Sequence, residues 1–521
     1  MIRVYNSLSK NKEPLETVEP GKVGIYLCGP TVYKPSHIGH MVGPVIFDAI
    51  KRYLNYCGYD VKLVVNITDI DDKLINEAAA RKITLPALAE EMTGDYFNNL
   101  KAMGVDTIDE SPKATEYIQE IIQFVEALVK RGFAYASEGD VYFDVSRDPQ
   151  YGKLSHRSVE GMQGEGGDMA GRKRNPADFA LWKGAKPGEP SWPSPWGPGR
   201  PGWHIECSAM SRALLGETFD IHGGGLDLLF PHHENEIAQS ECCHGKPLAK
   251  YWMHNGLMQA ADEVGKVGGR NTRTTEEGAA PAADVDRAAQ EAGKMGKSKG
   301  ASPFRDLLKV YQPETLRMFL LSSHYRRPIY FSDARIRESE TSLDKFHQFF
   351  DRYERVTGES FFAIEPNRRR SEPPAAKPGS FEEQFAAHRT RFLEAMDDDF
   401  NTGGAIGDLF ELLRTLNKFV DTEKLESGQP EAAKLATLRT GTALLRELSS
   451  LLGLFREPRA AKSTGDDNGL VDGLMQLLIE LRAEARKTKN FALGDRIRNG
   501  LAELKVSLTD RADKTEWSID K

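Results

Sequence analysis

The spacing of apolar and polar positions divides the chain into a mixed first half and a helical remainder. Val23, Ile25, Tyr26 and Leu27 form a short apolar run that predicts a buried strand. A loop containing Gly29, Pro30 and Pro35 follows, and Val45, Ile46, Ile50, Tyr53 and Leu54 then recur at helical spacing. Val61 to Val65 predicts a second buried strand, with helices after it from about Leu85 to Met103 and from about Pro112 to Arg131. Short strands at 141–144 and 179–182 bracket a stretch rich in glycine, Gly161 to Gly171. A helix to about Leu215, a strand over Thr218–Ile221 and a strand-like Tyr251–Leu257 complete this half. Beyond it, Ile336, Leu343, Phe346, Phe350 and Tyr353 mark a helical stripe, and amphipathic segments cover 381–397, 404–421 and 431–454. The fold class is α/β. We expect a Rossmann-like parallel sheet interrupted by an inserted module, then an α-helical bundle and a small C-terminal domain.

The boundaries follow from breaks in that pattern. Residues 1–112 form the first half of the sheet domain, 113–200 the inserted connective module and 201–260 the second half. Residues 261–335 hold an insertion and a lysine-bearing loop, 336–458 the bundle and 469–521 the terminal domain. From 261 to 291 the chain is rich in Ala, Gly and charge and nearly lacks large apolar residues. Such a segment cannot bury enough surface to offset ordering, so it is expected to be mobile.

Composition narrows the class. The chain has 521 residues, 40% of them hydrophobic and 28% charged, as in globular proteins of several domains. A net charge of −8 excludes a uniformly basic nucleic-acid binder, so any such surface is a local patch. No apolar run approaches the roughly 20 residues that span a bilayer, and the first residues do not begin a signal peptide. Five cysteines without small-domain spacing point to a reducing compartment, with thiols free or metal-bound. The expected setting is cytoplasmic.

Candidate chemistry gathers where strands end. A strand, a Gly/Pro loop and a helix start at His37-Ile38-Gly39-His40 make a polyphosphate site, because free N–H groups and the helix dipole favour anions. His37 and His40 are placed to donate to phosphate, and Gly39 lets a nucleotide lie close. Thr68 and Asp69, just past the second strand, are candidate ligand contacts. His222-Gly223-Gly224-Gly225-Leu226-Asp227 reads as a second flexible loop, and Pro231 is placed to open a helix. His232 and Glu236 are four apart on that helix, though spacing alone admits His233 as well. With Cys28 and Cys207 at other crevice-lining positions, the donor set of Cys, Cys, His and Glu suits zinc. Cys242 and Cys243 read as buried packing residues. Lys294 and Lys297 lie in a small-residue loop that, beside a polyphosphate site, brings two cations to the departing phosphates. A basic run, Arg482, Arg486, Lys487, Lys489, Arg496 and Arg498, marks the terminal domain.

Taken together these stretches resemble bacterial cysteinyl-tRNA synthetases, a family of class I aminoacyl-tRNA synthetases. The resemblance is carried by Cys28-Gly-Pro-Thr-Val-Tyr33 with His37-Ile-Gly-His40, by Asn66-Ile-Thr-Asp-Ile-Asp-Asp-Lys73 and by Pro190-Ser-Trp-Pro-Ser-Pro-Trp-Gly197. Gly202-Trp-His-Ile-Glu-Cys207, the run from His222 to Glu236 and Met396-Asp-Asp-Asp-Phe-Asn-Thr402 also match. It covers nearly the whole chain, and it implies stem contacts within 261–335, an anticodon-binding bundle at 336–458 and a tRNA-binding domain at 469–521. It implies cysteine activation by ATP and transfer to tRNA(Cys), one zinc ion held by Cys28, Cys207, His232 and Glu236, and magnesium with ATP. It also implies that Gly29, Thr68, Trp203, His222 and Asp227 surround the amino acid and that Lys297 meets the ATP phosphates. A monomer is expected. Two departures stand out: Gly296 replaces the first serine of the family's Lys-Met-Ser-Lys-Ser loop, and residues 261–291 are extra. Two other readings are a ligase joining cysteine to a small amine, which has no use for residues 336–521, and an inactive tRNA-binding paralogue, against which His37, His40, Lys294 and Lys297 argue.

Overall fold

A computed structural model describes residues 1–156, 170–260, 302–372, 376–427, 430–459, 467–504, 506–510 and 515–519. The insertion at 261–291, Lys294, Gly296 and Lys297 lie outside the described residues, as does most of the Gly161–Gly171 stretch. The chain divides into two compact units, Met1–Arg456 and Glu457–Lys521.

The first unit opens with an antiparallel hairpin, β1 (Arg3–Asn6) and β2 (Asn11–Pro14), which the apolar pattern does not announce. Strand β3 (Lys22–Leu27), helix α1 (Gly39–Tyr56) and strand β4 (Asp60–Val65) then form the expected unit. In both strands the last three residues are buried and the first is exposed, so each runs from the surface into the interior. Helices α2 (Asp72–Arg81) and α3 (Leu85–Ala102) follow. The Asp71 carboxylate caps α2 by accepting from the Lys73 amide, and the Thr84 hydroxyl caps α3 by accepting from the Ala87 amide. Helix α4 begins later than its spacing suggests, at Ile118 (Ile118–Arg131), because Ala114–Glu116 forms a tighter turn.

The inserted module is a four-stranded antiparallel sheet, β5 (Ala134–Ser137), β6 (Asp140–Phe143), β7 (Phe179–Gly184) and β8 (Gly199–Pro201), in that order. Its core of Val141, Phe143, Leu181 and Trp182 packs with Phe124 and Leu128 of α4. The same cluster takes in Ile205 and Ala209 of helix α5 (Trp203–Leu215).

Strand β9 (Phe219–Gly225), helix α6 (Glu234–His244) and strand β10 (Ala249–Asn255) complete a parallel sheet of order β10-β9-β3-β4. The expected flexible loop at His222–Gly225 is instead the end of β9, paired in register with Trp252–Asn255. These glycines serve packing: a Cβ on Gly223 would lie 2.2 Å from Cζ of Phe47, on α1. Pro231 does not start a regular helix either. Phe230 is extended, the wide turn Leu229–His233 precedes α6, and Glu234 is its first residue.

The order of strands locates a crevice. From β3 the chain crosses to β4 on one side, and from β9 to β10 on the other, so β3 and β9 flank the point where the winding reverses. Beyond their C-terminal ends the sheet is open, the usual place for a ligand in such folds. The Cys28 amide still donates to the Gly223 carbonyl (3.0 Å), which sets the first candidate ligand at that point.

Strands β11 (Met258–Ala260) and β12 (Ile329–Phe331) pair in parallel. Helices Pro313–Leu321, Asp333–Thr357, Phe381–Asp397, Thr402–Thr422 and Ala432–Leu451 make up the helical part, whose core joins that of α1 and α3 in one cluster. The buried Arg317 guanidinium binds Asp48 of α1 and the carbonyls of Met103 and Leu452. No described helix is long and apolar enough to cross a membrane.

The second unit contains helices Asp467–Lys487 and Phe491–Glu503 and an antiparallel pair, Val506–Asp510 with Thr515–Ile519, in which Leu508 faces Trp517. Arg482 of the basic run is buried at 5% exposure, whereas Arg486, Lys487, Lys489, Arg496 and Arg498 are exposed. The run is therefore one structural arginine and a set of surface cations.

Candidate functional site

Four elements deliver sulfur, nitrogen and oxygen donors to one point. Cys28 follows β3 directly, Cys207 lies in the second turn of α5, His232 lies in the turn before α6, and Glu236 sits in the first turn of α6. Cys28 Sγ is 3.8 Å from Cys207 Sγ and 3.6 Å from Glu236 Oε1, and His232 Nε2 is 3.0 Å from the same oxygen. Two sulfurs each about 2.3 Å from a tetrahedral zinc ion stand about 3.8 Å apart. The donor set and its sulfur separation therefore fit zinc. A second grouping, Cys28, His222, His233 and Glu236, shares two of these residues.

Burial shapes the electrostatics. It pushes the Cys28 thiol well up from its ordinary value, and the neighbouring Cys207 and Glu236 add to the rise. Burial holds His232 below its ordinary value despite the pull of Glu236, which favours the neutral imidazole that a metal would need. As thiolates, the form in which they bind a metal, two such sulfurs beside a carboxylate would need a compensating cation.

Around this cluster lies a layer of histidines. His204 Nδ1 is 2.9 Å from His232 Nδ1, and His222 Nε2 is 2.8 Å from Glu236 Oε2. His233 Nε2 is 3.3 Å from Cys28 Sγ, its Nδ1 is 2.9 Å from His254 Nε2, and His254 Nδ1 meets the Ser7 hydroxyl at 2.8 Å. The Trp203 ring stacks on His232 (4.2 Å, 21°) and the Trp252 ring on His222 (4.5 Å, 19°).

Above the donors opens a cavity of about 440 Å³ whose walls include Gly29, Thr68, Trp203 and Asp227, with His37 and His40 at the start of α1. The backbone closes in sharply at Gly29, where a Cβ would come within 1.7 Å of the Asn66 carbonyl oxygen. His37 Nδ1 accepts from the Gly39 amide and His40 Nδ1 from the His37 amide, both at 3.1 Å. These bonds put the proton of each neutral ring on Nε2. The two rings lie 3.8 Å apart.

Most of the expected residues meet here: Cys28, Cys207, His232 and Glu236 at the base, Gly29, Thr68, Trp203 and Asp227 on the walls, His37, Gly39 and His40 at the rim. His222 is fully buried beneath Glu236, apart from the cavity walls. Asp69 faces elsewhere, accepting from the Thr115 amide (3.0 Å) and hydroxyl (2.5 Å). Sequence reasoning gave no role to His204, Glu206 or His254. His204 and Cys207 are three apart on α5, a spacing that puts them on one face and was available as a signal. Nothing comparable marks His254, which reaches the cluster from β10.

Known proteins are similar to this chain. Residues 14–268 fit the family model described as the tRNA synthetases class I (C) catalytic domain, and residues 391–456 fit the DALR domain. A cysteine–tRNA ligase of Geobacter sulfurreducens is 43% identical over 521 residues, covering 99% of both chains. One of Symbiobacterium thermophilum is 44% identical over 521 residues, again covering 99% of both. In fold, the chain is similar to Mycobacterium tuberculosis methionyl-tRNA synthetase in complex with methionyl-adenylate, with a TM-score of 0.58 at 14% identity, over 83% of this chain and 90% of that one.

Proposed function

This chain belongs to the cysteine–tRNA ligase family of class I aminoacyl-tRNA synthetases, and from that premise we propose how its crevice selects and activates cysteine. The enzyme joins cysteine to tRNA using ATP. The cognate acceptor is tRNA(Cys), the working form is a monomer, and the setting is cytoplasmic.

Cys28, Cys207, His232 and Glu236 hold one zinc ion. The observation that carries this assignment is the way the other histidines fit around that set. With Glu236 Oε1 turned to Cys28 and His232, His222 is left to donate to Oε2. His204 accepts from His232, and His233 donates to the Cys28 sulfur. Every ligand but Cys207 thus has a supporting histidine, whereas the alternative grouping spends His222 and His233 as ligands and omits both Cys207 and His232. Zinc bound there supplies a thiolate-preferring Lewis acid. Shape alone would separate cysteine from serine by only about 1–3 kcal/mol. Gly29, Thr68, Trp203 and Asp227 form the surroundings of the amino acid, while His222, expected among them, acts from beneath through its bond to Glu236.

The cysteine carboxylate attacks the α-phosphorus of ATP, and pyrophosphate leaves with the bonding electron pair. The tRNA's terminal ribose hydroxyl then attacks the aminoacyl carbonyl and AMP departs. His37 and His40 present Nε2–H donors to phosphate oxygens beside the amides at the start of α1, Gly39 gives the nucleotide close approach, and magnesium accompanies ATP. Lys294 and Lys297, assigned from sequence alone, add cations at the departing phosphates. Catalysis rests on positioning and charge stabilisation. The test is ATP–pyrophosphate exchange followed by charging of purified tRNA(Cys). Exchange driven by cysteine and not by serine is expected; equal exchange with both would refute the selectivity mechanism.

A further inference from the structure

Glu206 is 1% exposed and lies behind the crevice wall, next to a candidate zinc ligand. The Thr68 hydroxyl, which does line the crevice, donates to its Oε2 at 3.0 Å. The backbone of Thr68 is committed as well: its amide donates to the Pro30 carbonyl (3.2 Å), and its carbonyl accepts from the Val32 amide (3.3 Å). A threonine hydroxyl has one proton and two lone pairs. With the proton given to Glu206, Thr68 offers the crevice an acceptor. A carboxylate and a carboxylic acid both carry an accepting oxygen, so this polarity does not depend on ionisation.

An acceptor in a pocket that also presents the Asp227 carboxylate suits a cation, and the cationic part of an amino acid is its α-ammonium group. We infer that Glu206 is a positioning residue that holds the Thr68 hydroxyl as an acceptor for the substrate's α-ammonium group, so that the site selects an amino thiol over a thiol lacking the amine. The inference rests on reading the crevice as the cysteine site. Without Glu206 the hydroxyl is able to rotate and donate instead, and the discrimination is lost.

The experiment compares two ligands that share the thiol and the carboxylate, L-cysteine and 3-mercaptopropionate. Their dissociation constants are measured by calorimetry on the full-length, zinc-loaded protein. For Glu206→Met, cysteine should weaken by about tenfold to a hundredfold, the worth of a hydrogen bond to a charged group, while 3-mercaptopropionate is unchanged. Glu206→Gln keeps an accepting oxygen and should stay within about threefold of the parent. Thr68→Val should match Glu206→Met, and the double variant should lose no more than either. The ratio of the two constants is an internal control for partial destabilisation; where methionine is not accommodated, Glu206→Ala is read on the same ratio. A variant that retains the parent's preference for cysteine, or weakens both thiols equally, overturns the role of Glu206. A parent protein that binds neither thiol overturns the assignment of the crevice, and this inference with it.

Discussion

His204 Nδ1 lies 2.9 Å from His232 Nδ1, both rings buried. An imidazole that ligates through Nε2 keeps its proton on Nδ1, so His232 donates and His204 accepts. On the proposed assignment, one helix thereby sets the tautomer and the aim of the zinc ligand proposed on another element, 28 residues further along the chain.

From this bond, His204→Leu should lower zinc affinity by about tenfold to a hundredfold, the usual cost of losing a partner that supports a ligand. Competition with a chromophoric chelator measures it, with circular dichroism as the control for folding. Unchanged affinity would mean that His232 is aimed by packing against Trp203 alone.

Asp399 explains part of the 396–402 motif in stability terms. Its carboxylate accepts from the Tyr5 amide (2.9 Å), the Tyr325 hydroxyl (2.8 Å) and Arg326 Nε (2.7 Å). Burial pushes its pKa up, but the His324 contact and the Arg326 charge outweigh it and hold the group below its ordinary value. Depression of the folded pKa means that the stabilisation is complete above the unfolded value of about 3.9 and is lost as pH falls through the lower folded value. Asp399→Asn should therefore cost about 3–5 kcal/mol at neutral pH. The gap from the parent should narrow below about pH 4. Denaturant midpoints across pH test this; a gap independent of pH would contradict it.

Gly223→Ala brings a Cβ to 2.2 Å from the Phe47 ring, between β9 and α1. Overpacking of this kind costs about 1–3 kcal/mol, and the strain falls on the helix that carries His40. A lowered thermal midpoint together with a raised KM for ATP in pyrophosphate exchange is expected. A raised KM for cysteine alone would contradict the placement.

Arg486, Lys487 and Lys489 are exposed cations of the second unit. Replacing all three with Ala should weaken tRNA charging while sparing pyrophosphate exchange, because phosphate contacts need charge and adenylation does not use this surface. Equal loss in both assays would show that the run is structural.

Much of this was legible in the chain itself. Leu27–Cys28 at a strand end, His37 to His40 at a helix start and the His232/Glu236 spacing reflect local periodicity, and local periodicity survives folding. The end of β9 is hard to read because glycine is ambiguous: Gly223 to Gly225 resemble a loop in composition, yet they pair with β10 as strand, and Phe47, His233 and Asp227 leave no room for side chains there. The histidine layer was invisible for a different reason. His254 and Ser7 are 247 residues apart, and only the sheet brings them together. Glu206 stayed hidden because its partner, Thr68, lies 138 residues away.

The central claim is that cysteine is selected through its thiolate at the Cys28, Cys207, His232 and Glu236 site. Cobalt substituted for zinc makes that site visible, since each thiolate ligand contributes sulfur-to-metal charge-transfer absorption. Adding L-cysteine should raise that absorption by the share of one further sulfur, whereas L-serine should leave it unchanged. A spectrum indifferent to cysteine would make the metal purely structural and contradict the account.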